Sequence, residues 1–290
     1  MQKANSDQQG VLYVVATPIG NLGDITQRAI AILSSVDKVC AEDTRNTRKL
    51  LTHLGLKKNL VALHDHNERQ KIETIAEWLA VGENLALVSD AGTPLISDPG
   101  YHLVKALREM DYHIVPIPGA SAIITALSVA GLATDKFSFE GFLPAKEAGR
   151  KQALQLNSES AYTQVYYESS HRIVHSVATM LDVFGTEKKV VLARELTKLY
   201  EQFFHGTLAE LHQWLLEDTM HQKGEFVIML AATEKKDTES DRFESSTEQL
   251  LSILVEELPV KQAAKIAAKL TGKAKNTLYK QAMTLQKNQK

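Results

Sequence analysis

Residues 86–100 read Ala-Leu-Val-Ser-Asp-Ala-Gly-Thr-Pro-Leu-Ile-Ser-Asp-Pro-Gly, and this stretch decides how the rest of the chain is read. The apolar run Leu85–Val88 reads as a short strand buried on both faces, ended by Ser89 and Asp90. In the loop that follows, Gly92 is free to take positive φ, and Pro94 fixes its own backbone and restricts Thr93. Asp98-Pro99-Gly100 then reads as a helix start, with Asp98 as the capping carboxylate and Pro99 at the first helical position. A strand, a rigid irregular loop and a helix in this order place a ligand crevice at the carboxyl end of the strand. The twelve residues from Ser89 to Gly100 exceed the roughly two to six that such a connection needs.

The same alternation extends in both directions. Val11–Ala16 is a β-rich run that ends in the irregular loop Thr17–Gly23, after which Asp24 or Thr26 caps a helix through about Ser34. Val36–Ala41 and Leu60–Leu63 read as further strands, followed by helices to His53 and around Ile72–Val81. A helix to Met110 follows the central loop. Tyr112–Ile117 closes on Pro118-Gly119-Ala120-Ser121-Ala122 and a helix of small residues to Val129. Strands alternating with helices imply a mostly parallel sheet covered on both faces. In such a sheet the loops after Ala16, Val88 and Ile117 share one edge, and free N–H groups at a helix start suit a flat or anionic ligand there.

Beyond Gly131 the pattern changes. Phe137–Phe142, Thr163–Tyr167, Val190–Ala193, Gln202–His205 and Phe226–Ala231 read as strands, with helices near Glu147–Asn157, Ile173–Phe184 and Leu208–Asp218. Val190–Ala193 and Gln202–His205 are too close for a helical crossover, so part of this second sheet is expected to be antiparallel. Three polar or charged segments, Tyr166–Arg172, Arg194–Lys198 and Gly224-Glu225, lie at its strand ends and suit the wall of a cleft. Residues 233–246 lack apolar periodicity and read as a linker. Leu250–Leu258, Val260–Leu270 and Ala274–Leu285 read as helices, the last two divided by Thr271-Gly272-Lys273 in a helix-turn-helix outline. The expected organisation is a disordered N-terminus over 1–10, α/β domains over 11–131 and 132–232, the linker, and a basic helical tail over 247–290.

Composition narrows the class. The chain has 290 residues, 44% hydrophobic and 23% charged, with a formal charge of −2, as in a soluble globular protein. The single cysteine, Cys40, excludes an internal disulfide and fits a reducing compartment, so a cytoplasmic location is expected. The polar N-terminus and the lack of long apolar runs argue against export and membrane insertion. Charge is concentrated locally: from Leu258 onward there are eight lysines and no acid. No G-x-G-x-x-G follows the first strand, which argues against a classical dinucleotide site. Gly272-Lys273 lacks the upstream glycine of a P-loop and reads as a helix C-cap. His64 and His66 flank Asp65 without a third ligand at metal spacing, so hydrogen-bonded loop histidines are the default and no metal is expected.

The segments LYVVATPIGNLGDIT, AEDTRNT, ALVSDAGTPLISDPG, PGASAIITAL, FEGFLP, YYESSHR, ARELTK and KGEFV, in that order, resemble the blocks of the tetrapyrrole methylase family. Within it the chain is similar to the branch that methylates ribosomal RNA. The resemblance implies two α/β domains of the class III methyltransferase type with S-adenosylmethionine between them, and a homodimer. It implies 2′-O-methylation of a cytidine in the decoding region of 16S rRNA, presented as RNA or small ribosomal subunit. Carried over by position, the cofactor contacts are Pro18 and Ile19, then Asp90, Gly92, Thr93 and Pro94, then Ser121 and Ala122, and Tyr167 and Leu196 in the second domain. Thr17-Pro18 and Gly92-Thr93-Pro94 stand where corrin-forming relatives have a glycine-rich loop and Gly-Asp-Pro, which argues against a tetrapyrrole substrate.

Methyl transfer to a ribose hydroxyl needs in-line positioning and removal of a proton. Asp43, Arg45, Asp98, Glu168, Arg194 and Lys198 are the candidates for that work, with Arg45, Arg194 and Lys198 also suited to flanking phosphates. Two other readings remain open at this point: a small-molecule methylase of the same fold, which has no use for a basic tail, and a ligand-sensing nucleic-acid-binding regulator.

Overall fold

The computed structural model describes residues 9–233 and 239–288. The expected disorder over 1–10 falls mostly outside these residues. Gly10 does not: its N–H donates to Leu79 O at 2.8 Å.

Five strands form the first sheet: β1 (Val11–Val15), β2 (Lys38–Ala41), β3 (Asn59–Ala62), β4 (Leu85–Val88) and β5 (His113–Ile117). Their order is β3-β2-β4-β1-β5 and every pairing is parallel. Alternation with α1 (Gln27–Ser35), α2 (Thr44–His53), α3 (Glu68–Ala80), α4 (Tyr101–Glu109) and α5 (Ala122–Val129) produces this arrangement. The central β4 is buried throughout. Leu85 and Leu87 pack with Leu79, Leu103 and Leu107 on one face, and Ala86 and Val88 with Leu33, Val39 and Ile117 on the other. That period-two division explains why the run is continuously apolar.

Local chemistry sets the helix starts, with one departure from expectation. Thr26 caps α1 by accepting from Ala29 N, and Asp43 caps α2 by accepting from Arg45 N. Asp98, however, does not cap α4. Its N-cap is Gly100, at φ 126°, where a side chain would strike Leu87 and Leu95. The Leu103 N–H is instead satisfied by the buried carboxyl of Glu68, from α3, at 2.6 Å. A cap supplied by a neighbouring helix releases Asp98 from the role assigned to it by local sequence.

The second sheet contains β6 (Phe137–Phe142), β7 (Thr163–Ser169), β8 (Lys189–Arg194), β9 (Gln202–Thr207) and β10 (Glu225–Leu230), in the order β6-β7-β10-β8-β9. Only β6 and β7 are parallel; the other pairs are antiparallel, the expected hairpin of β8 and β9 included. α6 (Glu147–Leu156), α7 (Ile173–Phe184) and α8 (Leu208–Glu217) cover one face around Leu154, Val177, Met180 and Leu211. The other face packs on α5: Val165, Val191, Val227 and Met229 share a core with Ile123, Ala126 and Leu127. Through this shared core, the described residues up to Thr233 form one compact unit containing both sheets.

The described residues from Glu239 onward form a separate compact unit. α9 (Glu239–Glu257), α10 (Val260–Thr271) and α11 (Lys275–Asn288) enclose Leu251, Val255, Ala263, Ala267, Leu278 and Ala282. The linker expected over 233–246 is therefore helical from Glu239. Residues 234–238 lie outside the described residues. Gly272, left-handed at φ 70°, ends α10 as a C-cap. Lys261, Lys265 and Lys269 are exposed at four-residue spacing along α10.

Candidate active site

β4, β1 and β5 are neighbours and parallel, so their three loops emerge side by side. Backbone bonds join the first two: Thr17 N donates to Gly92 O at 2.8 Å, and Gly92 N to Thr17 O at 3.0 Å. Thr17 Oγ1 also donates to Ser89 O at 3.2 Å, and Thr93 Oγ1 reaches Ala120 O at 3.3 Å, tying in the third loop. Gly92 has φ 79°, and a Cβ there would lie 3.4 Å from Ile19 Cγ2. A side chain at this point would therefore be strained and would narrow the space in front of Ile19.

The strand ends of the second sheet face these loops. Glu195 (φ 52°) and Thr197 (φ 67°) bracket Leu196 in left-handed conformations, and Leu196 packs in the same core as Ile19. Thr197 Oγ1 accepts from Asn21 N at 3.0 Å, fastening this turn to the first loop. Lys198 Nζ is held between Glu195 Oε1 at 2.9 Å and Glu225 Oε2 at 2.8 Å. Between the two walls lies a cleft of about 380 Å³ lined by Ile19, Gly92, Thr93, Ser121, Ala122, Tyr167 and Leu196, among others. Ser121 is the N-cap residue of α5 but makes no capping bond through its side chain.

Two of the candidate acids, Asp98 and Glu168, line the cleft. Asp98 is half-buried, and burial pushes its carboxyl up to about 6; the Ser89 hydroxyl opposes the rise, while Glu42, Asp90 and Asp65 add to it. Burial, with Asp98 as the next cause, also pushes the Tyr167 phenol up to about 12. Glu168 is buried and committed to neighbours: it accepts from Ser176 Oγ at 2.5 Å and Ser169 N at 2.9 Å, and Arg172 Nε lies 3.3 Å away.

The other expected site residues lie away from the cleft lining. Arg45 NH2 is 2.6 Å from Asp43 Oδ2, and this hydrogen bond pulls the Asp43 carboxyl down to about 2, which makes it a poor base. Asp90 accepts from Asp43 N at 3.1 Å and Asn46 Nδ2 at 2.9 Å, at the start of α2. Pro18 and Pro94 are buried within the loops they stiffen. Arg194, expected to grip phosphate, is buried and donates to Lys223 O at 2.6 Å and Gln202 Oε1 at 3.1 Å, so it holds the strand end together. Lys198 is neutralised by its two glutamates. Strand-end position was visible in the sequence; Asp43 and Glu195 pair with charges two and three residues away, while Lys223 and Glu225 reach Arg194 and Lys198 from far along the chain.

Ile96, Ser97 and Phe142 line the cleft without having been singled out. The signal for Phe142 lay in the FEGFLP block. Among the described residues no group of three His, Cys, Asp or Glu side chains is placed to hold a metal ion. His64 is not the fully hydrogen-bonded loop histidine expected, since its Nδ1 is buried without a partner.

Two sheets meeting at a cleft lined by strand ends define a two-sheet α/β fold with a ligand crevice. The family described as Tetrapyrrole (Corrin/Porphyrin) Methylases matches residues 11–212, and the one described as RsmI C-terminal HTH domain matches 242–286. Ribosomal RNA small subunit methyltransferase I of Haemophilus influenzae is 50% identical over 274 residues, covering 94% of this chain and 96% of the relative. The protein of that name from Escherichia coli O157:H7 is 49% identical over 282 residues, covering 97% of each. Uroporphyrin-III C-methyl transferase from Thermus thermophilus, solved with S-adenyl homocysteine, has the same fold at 17% identity and TM-score 0.55, covering 76% of this chain and 97% of that one. The chain belongs to the tetrapyrrole methylase family, and its relatives place it with the small-subunit rRNA methyltransferase I proteins. The cleft fits S-adenosylmethionine: it offers backbone-lined corners, small residues at Gly92, Ser121 and Ala122, and an apolar floor of Ile19 and Leu196.

Proposed function

We propose that the protein transfers a methyl group from S-adenosylmethionine to the ribose 2′-hydroxyl of a cytidine in the decoding region of 16S rRNA. The observation that carries this reading is the cleft itself, which Asp98, with its carboxyl near 6, lines together with small residues of the three strand-end loops. S-adenosylmethionine supplies a sulfonium-bound methyl that an oxygen nucleophile takes in line. At neutral pH a carboxyl near 6 is mostly ionised and able to accept the hydroxyl proton. Ile19 and Leu196 exclude water from the floor, and the turn fastened by Thr197 keeps Leu196 in place. A nucleotide splayed out of single-stranded or loosened RNA is the form of substrate that such a cleft takes.

The rRNA substrate is supported by the names of relatives half identical along nearly the whole chain. The basic face of α10 adds a sequence-independent phosphate surface. A homodimer working in the cytoplasm completes the proposal; among the described residues no helix is long and apolar enough to cross a membrane. Incubation with labelled S-adenosylmethionine and either stripped small ribosomal subunits or a reduced tetrapyrrole tests it. Label entering the RNA alone supports the reading, and label entering the tetrapyrrole alone moves the protein to small-molecule methylation.

A further inference from the structure

The FEGFLP block supplies Phe142 to the cleft, a residue with no part in the proton removal and cofactor contacts assigned above. β6 pairs with β7 in parallel as far as Phe139, and the register then shifts at Gly141, which takes φ 67°. Such a bulge re-aims the side chain after it. Phe139, before the bulge, is partly buried, its ring 4.9 Å from that of Tyr167 at 66°. Phe142, after it, lines the cleft and is 51% exposed. The Phe142 ring is nevertheless held: its centroid lies 5.7 Å from that of Tyr167, tilted by 59°. A Cβ at Gly141 would lie 3.7 Å from Ser97 Oγ, so the bulge sits beside the residue that precedes Asp98.

We infer that Phe142 is the platform on which the base of the target nucleotide stacks. The inference rests on the rRNA reading above and names the group that holds the acceptor. A nucleotide splayed from RNA loses its stacking partners and regains them on an aromatic face. A ribose that presents its hydroxyl to Asp98 carries its base past Ser97 toward Phe142. An apolar ring left half in water at the wall of a polar-edged cleft is suited to such a ligand, and its tie to Tyr167 reduces the ordering cost of binding.

The test is steady-state methylation of stripped small subunits by Phe142→Ala, Phe142→Leu and Phe142→Trp, with cofactor affinity by calorimetry and melting temperature measured alongside. The alanine and leucine variants are expected to raise KM for the subunit on the order of tenfold, with cofactor affinity kept, and the tryptophan variant to restore it. If the alanine variant melts early, the contrast between leucine and tryptophan carries the test. Rescue by leucine as complete as by tryptophan would reduce Phe142 to apolar packing and overturn the inference. So would wild-type kinetics in the alanine variant, or a loss confined to cofactor affinity. Wild-type protein that leaves the subunits unmethylated would instead overturn the rRNA reading, and the platform with it.

Discussion

The carboxyl of Glu68 accepts a hydrogen bond from the backbone N–H of Leu103 at 2.6 Å, so α3 caps α4 from outside. Glu68→Ala leaves that buried donor unsatisfied, a loss of about 1–3 kcal/mol. Glu68→Gln keeps an acceptor and is expected to lose less. Thermal melting should place the alanine variant several degrees below wild type, with the glutamine variant between them; equal melting of all three would show that the cap contributes nothing.

Because Glu68 takes the cap, Asp98 is left to face the cleft, and its raised carboxyl predicts a pH profile. Methyl transfer should fall as pH drops through about 6, where Asp98 gains a proton. Asp98→Asn should be slower by roughly 10²–10⁴ and should lose that inflection. The linkage to stability has the opposite sign from that of a salt-bridged acid. The folded protein binds the proton more tightly than the unfolded chain, so stability is lost as pH rises from the ordinary carboxylate range through about 6. Partial exposure limits the effect to on the order of 1 kcal/mol. Asn, which resembles the protonated carboxyl, should remove this part of the pH dependence, as denaturant titrations at pH 4 and pH 7.5 would show.

The cofactor floor gives a third prediction. Val at Gly92 meets both a left-handed backbone and Ile19, and Trp at Ser121 fills the corner at the start of α5. Gly92→Val and Ser121→Trp should each weaken S-adenosylmethionine binding at least tenfold, or by about 1.4 kcal/mol. Calorimetry reads the affinity, and the circular dichroism of each variant shows whether the fold is kept. Unchanged affinity in both variants would remove the cofactor from this cleft.

These residues also show what was legible in the sequence. Apolar patterning and turn residues marked the ten strands and the eight α-helices between Val11 and Thr233, because those signals are local; the single-turn helices Leu22–Asp24 and Thr219–Gln222 were not marked. The three aligned corners followed from a parallel sheet. The Asp98 cap failed as a reading because local sequence cannot show that Glu68, thirty-five residues distant from Leu103, reaches its N–H. The Lys223 and Glu225 contacts of Arg194 and Lys198 were hidden for the same reason, since they join residues more than twenty-five apart in the chain. Phe142 was missed because only the register shift at Gly141 makes the ring face the cleft.

The helical unit is separable from the rest by its own core, which leads to a fourth prediction. Truncation after Thr233 should keep cofactor affinity and lose affinity for the small subunit. The slope of log affinity against log salt should become shallower, since lysines that neutralise phosphates are gone. Binding and methylation as good as those of the intact chain would assign the lysine stripe to another purpose.

The position of the methyl group tests the central claim most directly. rRNA methylated by the protein with labelled S-adenosylmethionine is digested with alkali, which cleaves beside a free 2′-hydroxyl and spares a 2′-O-methylated linkage. The account predicts label in a single alkali-stable dinucleotide whose 5′ residue is cytidine; label released in a mononucleotide, with the methyl on the base, would contradict it.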